Sequence, residues 1–512
     1  MSKPNKKRFP RQRLNQLKKK RRKAAQQRRR RQAANGLAKL PTATLSNTKC
    51  EWTSVEQETE ARRQAVEEQI KVFRVALPIL LKRLAQISDP RSAKTIKHKF
   101  SVVMLYGVLT FVYQMGSRRE ANRQMTMPKF LENLKLIFPE LESLPHQDTL
   151  NRLLSGIHEP DQIPQALVDR VRHFIRNKKF QRYRIADHYP IAIDGTQKFT
   201  RENCWAAECL EREVGSKAED GTKQPQFYVY VLEASLSFAN GMTIPLMSEF
   251  LSYEQTDPQS TKQDCELRAF HRLAGRLKEA FPRLPILVLL DGLYPNGPVI
   301  ERCRHNHWDF MMVLQDDSLP SVWEEVRGLG QLQLKNHLEQ KWGNRQQRFR
   351  WVNQIEYSYA DNRKHQTLHV VICEESWEEV DAGSARIVTK TSRHAWISAR
   401  PLTRSNLHER CNLGARHRWG IEANILVEKR HGYQYEHCFS YNWNAMKGYH
   451  YLMRLAHFIN VLVQNSARLA RMVHFHGLRG LVQFLRDTCA APWLDADRIR
   501  QTLGSPPQLR LE

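Results

Sequence analysis

The chain contains no apolar run long enough to cross a bilayer. Its longest apolar stretch, residues 102–113, spans 12 residues, against roughly 20 for a membrane helix. The N-terminus carries charge with no apolar segment behind it, so no signal peptide is expected. Both absences predict a soluble protein without a membrane partner. Disulfide patterning is absent as well. The nine cysteines, at 50, 204, 209, 265, 303, 373, 411, 438 and 489, are scattered and odd in number, which suits a reducing compartment. Neither Cys204-x4-Cys209 nor "CRHNH" from Cys303 to His307 offers four tetrahedral ligands in one segment, so no zinc site is expected. Negative charge is scarce: 53 Asp and Glu face 81 Lys and Arg, for a net charge of +28.

The first 31 residues hold sixteen Lys and Arg and no acid, and the remainder still carries +12. A folded part that is itself basic favours a polyanion as partner, nucleic acid before a membrane surface or an acidic protein. Residues 1–45 are expected to be a basic, solvated, disordered tail that can bind phosphates without reading sequence.

Residues 46–182 are predicted to form a helical N-terminal domain. Its breakers lie in "ISDPRS" (87–92), "MGSRRE" (115–120) and "FPELESLPHQDT" (138–149), the last offering Asp148 or Thr149 as a helix cap. From about 183 the pattern changes. "YPIAIDGT" (189–196) reads as a short strand ending in an acid and a turn. "FYVYVLEASLSF" and "MTIPLMSEFL" flank an Asn-Gly hairpin signal. A helix follows over 262–281, then "LPILVLLDGL" (284–293) as a strand buried on both faces and "HWDFMMVLQ" (307–315) as another. The fold class is therefore α/β with a mixed sheet over 183–315. Residues 316–401, with five Trp and alternating stretches, read as a β-rich insertion. Helices return over 402–465, including 416–430 and 445–464, and residues 466–512 read as a C-terminal helical tail.

Two strand-end acids stand out, Asp194 after "IAI" and Asp291 after "ILVLL". Taken singly, each is adequately explained as an Asp capping its own "DG" turn. Two in one α/β domain can instead converge, and a divalent cation then offsets their repulsion. Oxygen ligands suit Mg or Mn, and a pair of ions stabilises phosphodiester transfer. A third acid normally completes such a site. Glu249, Asp264, Glu266, Glu422, Glu428 and Glu436 are the candidates. In "HRWGIEANILVEK", an ideal helix brings Arg418, Glu422 and Lys429 within about 40° of one another around the axis. That column is either a surface ion pair worth under about 0.5 kcal/mol or a metal-binding Glu flanked by cations for DNA phosphates.

The same stretch resembles the Arg-x3-Glu-x6-Lys signature of insertion-sequence transposases of the Asp-Asp-Glu (DDE) class, the insertion-sequence-four type, in which a β-rich domain precedes the Glu. Ala415 stands where that signature begins with Tyr. "DPRS", "GSRREANRQ", "DTLNRLLSGI", "IDGTQ", "KQDCELRAFHRL" and "LLDGLYPNGPV" resemble further pieces, across roughly 85–465. Asp194 and Asp291 are 97 residues apart, and Asp291 and Glu422 are 131 apart, which leaves room for the insertion.

The resemblance implies an RNase H-like catalytic core, interrupted by the insertion, with Asp194, Asp291 and Glu422 binding two Mg or Mn ions. It implies that Arg418 and Lys429 contact DNA near the scissile phosphate. It also offers Trp396 as acceptor of a flipped base, although a Trp packed within the insertion is the simpler reading. The implied function is a DNA transposase that binds double-stranded element ends, cleaves them and transfers strands. It would work as a homodimer in a synaptic complex, in the bacterial cytoplasm on the nucleoid. The rivals are a related metal-dependent nuclease without strand transfer and an inactive, repurposed DNA-binding protein.

Overall fold

The structure is a computed structural model; it describes residues 11–34, 50, 52–214, 224–252 and 264–512. In chain order the helices are α1 (Arg11–Ala34), α2 (Val55–Leu84), α3 (Phe100–Val112), α4 (Arg118–Met125), α5 (Pro128–Ile137), α6 (Gln147–Gly156) and α7 (Gln165–Arg176). Strands β1 (Tyr189–Arg201), β2 (Leu210–Val214), β3 (Gln224–Ser237) and β4 (Thr243–Leu251) follow, then α8 (Glu266–Ala280), β5 (Ile286–Leu290), α9 (Gly297–His305) and β6 (Asp309–Val313). The remainder is α10 (Pro320–Leu332), β7 (His337–Trp342), β8 (Arg345–Tyr359), β9 (Lys364–Val380), β10 (Ile387–Ser398), α11 (Trp419–Arg430), α12 (Trp443–Gln464), α13 (Ala470–Ala490) and α14 (Ala496–Gly504).

The chain divides into two compact units. The larger holds α2–α8, β1–β5, and everything after residue 411. Its sheet runs β2-β3-β1-β5, with β4 also paired to β3. β1, β3 and β4 are antiparallel, and β5 lies parallel to β1, so the sheet is mixed as the sequence pattern requires. β5, "ILVLL", is buried throughout, as expected of a strand covered on both faces. The apolar stretch at 100–112 is the core helix α3, buried from Val102 to Val112. Helices α13 and α14 pack onto this unit: Leu481, Val482, Leu485 and Ile499 are buried, and Arg498 bridges to Glu60 and Glu67 of α2. Helix α6 begins one residue before the expected cap, because the His146 ring accepts from the Asp148 backbone N–H.

The smaller unit contains α1, residues 291–301 and residues 309–411. Strands β7, β8, β9 and β10 form an antiparallel meander that ends on β6. One expectation fails here. Residues 11–34 are helical rather than disordered, with Ala24 and Gln32 buried and Arg31 3.1 Å from Glu378 of β9. Apart from Asn15, the run is Arg, Lys, Gln, Ala and Leu without Gly or Pro, all good helix formers, and Glu378 of β9 receives Arg31. Residues 1–10 and 35–45 of the expected tail lie outside the described residues.

Candidate functional site

The strand that carries Asp194 is longer than its sequence suggests. "DGT" reads as a turn, yet β1 continues to Arg201 because β3 supplies partners along its whole length: Asp194 pairs with Glu233, Gly195 with Leu232 and Thr196 with Val231. Asp194 thus stands mid-strand. On the other edge β5 pairs only as far as Ala192 and Leu289. Each pair in that parallel register, from Tyr189 and Ile286 onward, is 97 residues apart, the same interval that separates Asp194 from Asp291. Asp291 is the residue that follows β5 in the chain. Its Oδ1 accepts the Leu293 backbone N–H at 2.9 Å, so it does cap its own turn.

Residues directly opposite across antiparallel strands point to one face, so the Asp194 side chain shares a face with Glu233. The Glu233 carboxylate accepts from Tyr435 Oη at 3.0 Å and Ser248 Oγ at 2.6 Å. It lies 3.2 Å from both His450 Nε2 and Arg454 Nη2 of α12. Helices α11 and α12 therefore cover the Asp194 face. Gly195 points the other way, where a Cβ would meet the Tyr230 hydroxyl at 2.5 Å and the Glu266 carboxylate of α8. The alternatives for the third acid separate on this basis. Glu249, Asp264 and Glu266 belong to the α8 face, the first two held by Arg272 and Arg276 and Glu266 accepting from Tyr230.

Three acids lie on or beside α11. Glu428 is fully buried, with Arg454 Nη1 2.8 and 3.1 Å from its oxygens and His457 Nδ1 at 2.5 Å. Glu436 is exposed and pairs with Lys429 at 3.1 Å. Glu422 is 49% exposed and pairs with Arg418 at 2.6 Å, so the expected i,i+4 pair forms. Arg418 belongs to a 3-10 turn over Ala415–Arg418 that leads into α11. Its side chain is only 8% exposed. Its Nε and Nη1 groups are buried without a hydrogen-bond partner among the described residues. Lys429 departs from the expected column. Its ammonium donates to the Gln197 carbonyl of β1 at 3.0 Å, which ties α11 to the strand of Asp194. At the other end, Gly420 lets the helix close onto β3 and β4: a Cβ there would collide with Ser237 Oγ and come within 3.0 Å of Thr243 Oγ1.

Sequence reading missed the buried frame behind this face. Burial alone would raise the Glu233 carboxyl, but Arg454 and His450 hold it down at about 2. Glu428 is lowered in the same way, against burial, by Arg454 and His457. Burial depresses His450 to about 4, against the pull of Glu233, so the ring is neutral at pH 7 and Arg454 is the charge that keeps Glu233 ionised. Lys198, four residues beyond Asp194, is pushed down to about 8 by burial despite Glu233 and Glu428, and donates to the Tyr435 carbonyl at 2.7 Å. A signal existed: His450, Arg454 and His457 recur at i, i+4 and i+7 within an otherwise apolar helix.

In the smaller unit, Trp396 is 3% exposed, opposite Val313 and Val371 in the sheet, and stacks on His394 at 5.5 Å. It is packed within the sheet, the simpler of its two readings. Carboxylate oxygens are the donor type that Mg and Mn prefer. Among the described residues, however, no group of three or more His, Cys, Asp or Glu side chains is gathered closely enough to hold a metal ion.

Residues 81–170 match the family described as DDE_Tnp_1-associated. The matched segment runs from the last turn of α2 into α7, the helical N-terminal part of the larger unit, and excludes Asp194, Asp291 and Glu422. Comparison with curated proteins finds no match. Among solved structures, a cryo-EM structure of the piggyBac transposase synaptic complex with hairpin DNA aligns over 86% of this chain and 81% of that one, at 10% identity and a TM-score of 0.36. That score is too low to carry the fold, which rests on the strand register above.

Proposed function

We propose that the protein is a DDE-type DNA transposase in which Asp194, Asp291 and Glu422 bind divalent metal, Mg or Mn, on an RNase H-like core. One observation carries the reading: α11, the helix of Glu422, is tied by Lys429 to β1, the strand of Asp194, and Asp291 follows in the chain directly after β5, the strand that pairs with β1. The match over 81–170 supports it. Metal ions held by the three acids would stabilise charge on the attacking and leaving oxygens of a phosphodiester.

The protein's own groups do the positioning. Arg418 has two buried donors without partners, and phosphate oxygens satisfy such donors well. Lys429 adds positive charge at the far end of α11 while anchoring it to β1. The partner is double-stranded DNA, element ends and target, bound by a homodimer, since two ends must be cut and joined together. The expected location is the bacterial cytoplasm, on the nucleoid. No helix among the described residues is long and apolar enough to cross a membrane.

A second reading, a DNA-binding protein without catalysis, draws support from the Arg418–Glu422 pair, which neutralises the third acid. The test is cleavage and strand transfer on DNA carrying the inverted repeats that flank the coding region, with Mg. Activity in the wild type that disappears in Asp194→Ala, Asp291→Ala and Glu422→Ala supports the transposase. Cleavage without joining selects the nuclease, and tight binding with neither activity selects the binding protein.

A further inference from the structure

The turn that begins at Asp291 is held from its far side. The β1–β5 ladder stops at Leu289, two residues short of Asp291, and from Asp291 to Glu301 the chain belongs to the smaller unit. Residues 291–297 form a run of tight turns. The Tyr294 backbone N–H donates to the Asp291 carbonyl at 3.4 Å, and Asn296 Oδ1 accepts from the Val299 N–H at 3.0 Å. Tyr294 is fully buried. Helix α9 starts at Gly297, so a shift of Gly297 is passed back to Asp291 with little slack between them.

The β8–β9 hairpin meets that helix start. Tyr359 and Lys364 stand directly opposite each other in the β8–β9 register, so they project to one face. Gly297 and Glu301 are four residues apart on α9, so they too share a face. The two pairs match. A Cβ at Gly297 would collide with the Tyr359 ring, and Lys364 Nζ lies 2.8 and 2.9 Å from the Glu301 oxygens. Tyr357 stacks on Tyr359 at 5.7 Å, and its hydroxyl accepts a hydrogen bond from the Gly297 backbone. The ion pair is half-exposed and contributes little. The Tyr359 hydroxyl is buried without a hydrogen-bond partner among the described residues, so the ring face makes the contact. At the hairpin tip, Ala360, Asp361 and Asn362 take left-handed φ values of 53°, 54° and 61°. Residues other than glycine rarely do so in succession, and this tight reversal brings Tyr359 and Lys364 opposite each other beside α9.

We propose that the β8–β9 hairpin is a clamp on the Asp291 turn, with Tyr359 as a positioning residue for the Asp291 carboxylate. The role rests on the transposase reading for what Asp291 does, but the clamp itself is a property of the fold that needs no metal. Strand β5 delivers Asp291, and the hairpin fixes where its turn stands. Gln315 presses on the same turn at Gly292, where a Cβ would meet its Nε2 at 2.6 Å. Because the ring face carries the contact, Phe suffices at position 359. A methyl group at position 297 competes with the ring for the same space.

The test is hydrogen–deuterium exchange of the metal-free full chain, followed by Mn binding to the DNA-bound protein. Tyr359→Ala is expected to speed exchange across residues 292–301 roughly tenfold, with β5 and the paired residues of β8 and β9 still protected. It is also expected to weaken Mn binding by about tenfold or more, the usual cost of losing a group that orients a metal ligand. Tyr359→Phe is expected to match wild type in both. Gly297→Ala is expected to reproduce the defect. Combined with Tyr359→Ala it should be no worse than either alone, since the two changes break one contact. Unchanged exchange in Tyr359→Ala and Gly297→Ala would overturn the clamp. So would Tyr359→Phe behaving like Tyr359→Ala. Faster exchange at wild-type Mn affinity would overturn the positioning role alone. A wild type that binds no Mn would refute the transposase reading and the positioning role with it, while the exchange comparison still decides whether the clamp exists.

Discussion

Replacing Arg454 by Met removes the charge from the frame that holds α11 over Asp194. The guanidinium lies 2.8 and 3.1 Å from the Glu428 oxygens and 3.2 Å from Glu233. All three groups are buried. Met fills much of the same volume, so the loss is mainly electrostatic. Breaking a buried ion pair from one side costs about 3–5 kcal/mol, because the abandoned charge stays desolvated. Two pairs break here, but they share one cation and do not add, so a loss of about 3–5 kcal/mol is expected.

The pH dependence provides a sign. In the wild type, Glu233 titrates at about 2 rather than 4.5. Its stabilising contribution is present above about 4.5 and is lost as pH falls through 2. In the variant, the largest opposing charge is gone, so burial raises both carboxyls relative to the wild type. Protonation then costs the variant less than the wild type, and the deficit should shrink as pH drops from 7 toward 5. His450 weakens both proteins between about 6.5 and 4, because the buried ring resists the proton that the unfolded chain accepts. That effect cancels in the difference. The assay is urea unfolding of the full chain at pH 7, 6 and 5. A deficit under about 1 kcal/mol at pH 7, or one that widens in acid, would refute the reasoning.

Two further substitutions probe how α11 is seated. Gly420→Ala is expected to destabilise by about 1–3 kcal/mol through overpacking, and adding Ser237→Ala, which removes the colliding hydroxyl, should restore most of it in thermal unfolding. Lys429→Met is expected to cost about 1 kcal/mol for the lost carbonyl hydrogen bond and to leave the salt slope of DNA binding unchanged. A slope that becomes shallower by about 0.9 would instead make Lys429 a phosphate contact, as the helical column in the sequence suggests.

The α/β core was legible because its strands are apolar runs punctuated by turns, and the meander because β7–β10 alternate. The extension of β1 past Asp194 was hidden: "DGT" has turn chemistry, and only the long partner β3 overrides it. Helix α1 was hidden by its charge, since the acids that receive it lie some 340 residues away, as in Arg31 with Glu378. Within the candidate site, the Arg418–Glu422 pair followed directly from helical spacing. The placement of Lys429 did not, because spacing fixes an angle around the axis and says nothing of a carbonyl at Gln197 that a long side chain can reach. The Glu233–Arg454–Glu428 frame depends on three separated segments. Only its α12 half, His450, Arg454 and His457, left a periodic trace.

The central claim is that Asp194, Asp291 and Glu422 jointly bind metal. Electron paramagnetic resonance of Mn titrated into the DNA-bound protein measures this directly, without requiring turnover. The expected result is tight Mn binding in the wild type and its loss or marked weakening in Asp194→Ala, Asp291→Ala and Glu422→Ala alike, with DNA still bound. Mn affinity and stoichiometry that are the same in all four proteins would contradict the claim.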